Sequence, residues 1–167
     1  MLWPFSFSTA VGSNKEMARE LDALVTLREG MAFTAASGSG HEIVIDTSID
    51  GGGQNQGPSP MELLLMGTAG CTAIDVISIL RKKRQKVTAY QVRIHGTRAE
   101  THPKVFTDIT IEHIVTGHAV DEAALVHAIE LSNTKYCSAH AIMSKTAQIT
   151  TTHRMIEAAT TEANTSL

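Results

Sequence analysis

From Ser59 the chain runs through Pro60 into Met61–Leu80, MELLLMGTAGCTAIDVISIL, and between Leu63 and Leu80 the only charge is Asp75. Ser59 followed by Pro60 is a helix-start signal, an N-cap with proline in the first turn. The spacing predicts a helix over 61–80. Its 18 residues from Leu63 to Leu80 span roughly 27 Å at ~1.5 Å per residue. That length is marginal for a membrane span, and Gly67, Thr68, Gly70, Thr72, Asp75 and Ser78 inside it argue against one. A helix apolar nearly all round is buried on all sides. A chain of 167 residues has too little other material to wrap it, so a partner chain is expected to cover part of it. Gly67, Ala69 and Gly70 would let a second backbone approach closely. The basic run Arg81–Arg84 closes the helix at the negative end of its dipole.

Around this helix the pattern is mostly strand. Leu21–Glu29, Met31–Ala36 and His41–Thr47 read as three short strands, punctuated by Gly30 and by Ser37–Gly40, and suggest an antiparallel meander. Residues 48–59, with Gly51-Gly52-Gly53 and Gly57-Pro58, read as a flexible loop; no Gly-Lys-Ser/Thr makes it a phosphate loop. Val87–Glu100 and Val105–Thr116 form a hairpin turning at Thr101–Lys104. On its second strand Ile109, Ile111, His113 and Val115 share a face. Asp121 opens a helix to about Ser132, Asn133-Thr134 breaks it, and a second helix covers about Lys135–Ala147. Gln148–Met155 is the last strand. The order is βββ-α-ββ-αα-β, an α+β chain. Residues 21–157 are read as one domain, 1–20 as a tail and 158–167 as a frayed end.

Apolar residues make up 43% and charged residues 19%, which gives a real core and excludes an intrinsically disordered chain. The net charge of −3 leaves no basic excess to neutralise phosphates, so neither nucleic acid nor a membrane is an expected partner. The first eight residues make a poor signal peptide, with no Lys or Arg before the apolar stretch and Pro4 inside it. The cytoplasm is the expected compartment. There the two cysteines, Cys71 and Cys137, are reduced thiols rather than a structural bridge.

Cys137-Ser-Ala-His140 has a ligand-like spacing, but no second Cys or His pair accompanies it, so no metal site is expected. A cysteine hydrolase would need a histidine beside Cys71. Asp75, four residues on, shares the face of Cys71; a carboxylate and an apolar surround both raise a thiol pKa. Cys137, expected in the first turn of its helix with Lys135 nearby, is by local chemistry the better thiolate.

The segment Gly57-Pro-Ser-Pro-Met-Glu-Leu-Leu-Leu-Met-Gly-Thr-Ala-Gly-Cys71, its continuation to Leu80, and Lys135-Tyr-Cys137-Ser resemble the signature of the OsmC/Ohr family, in wording most like its YhfA-like branch. The resemblance covers about residues 21–157. It implies an OsmC-like α+β fold assembled as an intertwined homodimer with buried central helices. It also implies thiol peroxidase chemistry. Cys71 would attack the O–O bond of an organic hydroperoxide and become a sulfenic acid. Cys137 would condense with it to a disulfide, and an external thiol reductant would restore the pair. No cofactor is implied, because the cysteines supply the electrons.

In the peroxidase branches a Glu lies ten positions before the first cysteine; here that position is Met61 and the carboxylate is Glu62. On a straight helix Glu62 would stand ~13.5 Å along the axis from Cys71 and about 180° around it. The family's arginine, in a turn after the first strand, has Arg28 as its nearest counterpart. Ser138 follows the second cysteine where the organic-peroxide branch has Pro. A cation near Cys71 is expected, from Arg28 or from a partner's Arg81–Arg84. The rival reading is a non-catalytic small-molecule or thiol-binding protein whose cysteines only line a cleft.

Overall fold

The computed structural model describes residues 20–159. The expected N-terminal tail (but for Glu20) and residues 160–167 of the expected frayed end lie outside them. The element order is β1 (Ala23–Leu27), β2 (Phe33–Ser37), β3 (Glu42–Ile45), α1 (Pro60–Lys82), β4 (Lys86–Arg98), β5 (Phe106–His118), α2 (Glu122–Leu131), α3 (Ser138–Met143) and β6 (Gln148–Glu157). This is the α+β order the sequence pattern predicts. β1–β2–β3 form the antiparallel meander, and β4 pairs antiparallel with β5 across the hairpin. β6 pairs parallel to β5, which makes β5 the central strand of its sheet. A parallel neighbour needs a long crossover; α2 and α3 supply it.

α1 starts where Ser59 and Pro60 place it. The Ser59 hydroxyl accepts from the Glu62 N–H at 3.3 Å, and the Glu62 carboxylate accepts from the Ser59 N–H at 2.7 Å, a reciprocal cap. Ser59→Ala removes one half of that cap and is expected to cost about 1 kcal/mol of stability, read from urea midpoints. No change in midpoint would contradict the role. The helix ends at Lys82, with Arg81 and Lys82 in its last turn.

Expected burial on all sides is not what the described residues provide. Thr68, Thr72, Val76 and Leu80, spaced by four, are the buried positions of α1. They face β4, β5, α2 and α3. Elsewhere on the helix Leu64 is 50%, Met66 58% and Ile74 69% exposed. An added Cβ at Gly67 or Gly70 would meet open space. The meander is equally uncovered: Leu24, Val25, Leu27 and Ile43 are exposed, and no residue of β1–β3 enters a core cluster.

The core has two parts. Val76 and Leu80 pack with Val115, Leu125, Ala128 and Ile129. Met61 and Leu65 pack with Phe106, Ile109, Ile111 and Met143. Thr68, Cys71 and Thr72 fall between these stretches of α1.

The glycine-rich 48–59 segment is built rather than loose. The buried Asp46 carboxylate accepts from the N–H groups of Thr47, Gln54 and Gln56 at 2.7–3.1 Å. Those bonds, that of Gln56 foremost, hold its pKa below the usual carboxylate value. A Cβ on Gly53 would collide with the Thr47 carbonyl and the Asp46 carboxylate, so glycine is what lets the loop close on Asp46.

Candidate functional site

Cys71 projects from the middle of α1, and Asp75 follows one turn later on the same face. Cys137 arrives from the far side of the crossover. Its approach differs from the sequence expectation. Asn133-Thr134 does not break the chain; residues Ser132–Tyr136 form a π-helical turn closed by the Cys137 N–H donating to the Ser132 carbonyl at 2.9 Å. The break falls at Cys137, whose backbone is extended (φ −75°, ψ 97°). Cys137 is therefore the N-cap of α3, not a first-turn residue, and its Sγ accepts from the His140 N–H at 3.3 Å. The second helix is six residues, Ser138–Met143, against the expected span of about 135–147. The physical reason is Ser132, which is fully buried and tied to α1. Anchoring it there takes up one extra residue in the turn and delays the cap to Cys137.

The Sγ atoms of Cys71 and Cys137 and a carboxylate oxygen of Asp75 all lie within 4.8 Å of one another. Both cysteines are free thiols; Cys137 is buried and Cys71 half-buried. A disulfide of about 2.05 Å needs the sulfurs to close by at most about 2.8 Å. Asp75 is held in turn: the Ser132 hydroxyl donates to its Oδ2 at 3.1 Å. With that proton used, the Thr72 hydroxyl donates to Ser132 Oγ at 2.9 Å. Asp75 also lines a cavity of about 380 Å³ shared with Ser78, Ile79, Lys82, Lys83 and Tyr136.

The local argument that favoured Cys137 as the better thiolate is overturned. Its thiol is pushed up to about 12, first by burial, then by the neighbouring Cys71 thiol, with Asp75 adding to the rise; the His140 N–H opposes them only in part. Lys135 does not help, since its ammonium sits over the Tyr136 ring, 5.4 Å from the centroid.

Glu62 is spent on the cap of α1, nine residues from Cys71. Its carboxyl is held below the usual value by the Ser59 hydroxyl and N–H. Arg28 lies exposed just after β1 and forms no ion pair among the described residues. No Arg or Lys is among the groups that act on the Cys137 thiol; the charged residue beside the pair is Asp75. Within one chain the structure thus brings together Cys71 and Cys137 and commits Glu62 to the helix cap. No histidine ring hydrogen-bonds to either sulfur among the described residues. His140 contributes its backbone, not its ring.

Next to this site is a polar pair that the sequence does not announce. The Tyr90 hydroxyl and His113 Nδ1 are 2.6 Å apart, with rings stacked at 6.0 Å. Burial, and after it Asp75, raises the Tyr90 pKa. The alternation of β5 does place His113 inward, and that was the available signal. Ser132 carries none, because a serine after a helix reads as a cap.

A partly buried polar seam holding two thiols, on an α+β arrangement of six strands and three α-helices among the described residues, defines a dithiol protein of this fold class. The family model described as OsmC-like protein matches residues 52–152, and the chain belongs to that family. Protein YhfA of Escherichia coli (strain K12) is 41% identical over 138 residues, 83% of this chain and 100% of that protein. The crystal structure of a hypothetical protein from Aquifex aeolicus VF5 is 30% identical with a TM-score of 0.76, covering 85% of this chain and 100% of that one. An organic hydroperoxide resistance protein from Elizabethkingia anophelis, crystallised with thiocyanate bound, shares the fold at 15% identity and a TM-score of 0.63, covering 84% and 99% of the two chains.

Proposed function

We propose that this protein is a cysteine-based thiol peroxidase that reduces organic hydroperoxides in defence against oxidative stress. The observation that carries the reading is the pair of free sulfurs, from α1 and from the cap of α3, held within 4.8 Å. A two-thiol cycle needs two electrons and a resolving sulfur within reach, and this pair supplies both. Cys71 attacks the distal peroxide oxygen and the alcohol leaves. The Cys71 sulfenic acid is then attacked by Cys137, releasing water and forming the disulfide. An external dithiol, or two monothiols, returns two electrons and two protons and leaves as a disulfide. Family membership supports the same chemistry; the Elizabethkingia protein, at 15% identity, supports the fold. The cycle belongs in a reducing cytoplasm, where thiols are restored.

The reading includes a homodimer. The uncovered side of α1 and the bare apolar meander support a second copy packed against both, over an area above roughly 2,000 Å². In such a dimer the partner's Arg28 or basic helix end is the expected source of a cation for Cys71. Sedimentation at micromolar concentration is expected to show a dimer; a stable monomer would remove the proposed assembly.

The use of Glu62 in the helix cap, together with a cavity of about 380 Å³ lined by Asp75, favours a second reading, a small-molecule-binding protein. Turnover separates the two. Reduced protein with a dithiol reductant is expected to consume cumene hydroperoxide catalytically. Consumption no faster than the reductant alone would leave the binding reading.

A further inference from the structure

Three donor atoms of one region point to a ligand that the peroxide cycle does not use. We propose that reduced Cys71, Cys137 and Asp75 form a binding site for a thiophilic divalent cation of the zinc class, with a fourth position open to water. The sequence spacing pointed elsewhere, to Cys137 and His140; the fold replaces His140 with two residues from α1.

The geometry fits without rebuilding. Tetrahedral zinc with Zn–S near 2.3 Å and Zn–O near 2.0–2.2 Å separates its sulfurs by roughly 3.8 Å and sulfur from oxygen by roughly 3.5 Å. The three atoms already lie within 4.8 Å, so each pair closes by no more than about 1.3 Å. A disulfide demands up to about twice that movement from the same sulfurs.

The donor set selects the ion. Two sulfurs with one carboxylate suit zinc and its spectroscopic substitute cobalt. Magnesium and calcium require six or more oxygens, which this site does not have. The carboxylate is fixed by an outer layer, as ligating carboxylates are: Ser132 donates to Oδ2, Thr72 donates to Ser132, and both are fully buried. Among the described residues Oδ1 has no hydrogen-bond partner. Asp75, the carboxylate of the set, also lines a cavity of about 380 Å³. Lys82 and Lys83 line the same cavity, but seven and eight residues on, roughly 10–12 Å along the helix axis.

Binding exchanges the two thiol protons for the ion and forms two metal–sulfur bonds. Both sulfurs are then withheld from oxidants and alkylating agents. The proposal concerns the reduced thiols and does not depend on the peroxidase reading.

The test is an anaerobic titration of the reduced full-length protein with cobalt(II). One ion per chain is expected, with the intense charge-transfer absorption of cobalt bound to thiolate and the visible bands of tetrahedral cobalt. Zinc should displace it. Asp75→Asn should retain the charge-transfer band but bind at least ~10-fold more weakly, and the wild type with its thiols alkylated should show no band. The Cys71→Ser Cys137→Ser variant should behave like the alkylated protein. Absence of the band in reduced protein, or its persistence after alkylation, overturns the site. Unchanged affinity in a folded Asp75→Asn variant overturns the three-ligand assignment.

Discussion

Cys71→Ser is expected to abolish peroxide consumption, while Cys137→Ser completes a single turnover and leaves a trappable sulfenic acid at Cys71. The asymmetry follows from burial. Cys137 is buried, and its thiol is pushed well above the ordinary value, first by burial and then by the Cys71 thiol and Asp75. Cys71 is half-buried and is the sulfur more open to an incoming peroxide. If Cys137→Ser, rather than Cys71→Ser, stops the first turnover, the roles are reversed.

Acid should unfold the protein through His113. The side chain is fully buried, and burial, then the nearby His153, lowers its pKa from 6.5 to about 4. The folded state holds the neutral ring while the unfolded chain takes up a proton below pH 6.5. Stability from this group is therefore fully present above about pH 6.5 and is lost as pH falls toward 4. A difference of about 2.5 pKa units corresponds to about 3 kcal/mol, a large part of a domain's stability. Urea unfolding at fixed protein concentration between pH 7 and pH 4 measures it. His113→Gln, which cannot titrate, should flatten the profile over that window even if it lowers stability at pH 7. A variant profile parallel to the wild type would show that the acid sensitivity lies elsewhere.

Elements set by local chemistry were legible in the sequence. Ser59-Pro60 and Glu62 mark the start of α1, the alternation on β5 marks His113 as inward, and Asp121 caps α2 through the Ala123 N–H at 3.0 Å. Features set by distant contacts were not. The π-helical turn exists because Ser132 is drawn to Thr72 and Asp75, 60 and 57 residues away, and no local pattern shows that pull. The same limit explains the misreading of Cys137. A helix start lowers a thiol pKa, but the burial that outweighs it comes from other parts of the chain. Glu62 misled in the opposite way, because a carboxylate three residues after Ser59 is a capping residue by spacing, and that role is the one it fills. The meander reads correctly as three strands, yet among the described residues none of its side chains joins a core cluster, and the alternation of a strand does not say what its apolar face meets.

If Cys71 and Cys137 work as one redox pair, reduced protein treated with one equivalent of cumene hydroperoxide, then alkylated and digested, should lose both thiols per peroxide. One peptide pair joined through Cys71 and Cys137, reversible by a dithiol, is expected. Two thiols still open to alkylation, or a Cys71 oxidised while Cys137 remains free, would contradict it.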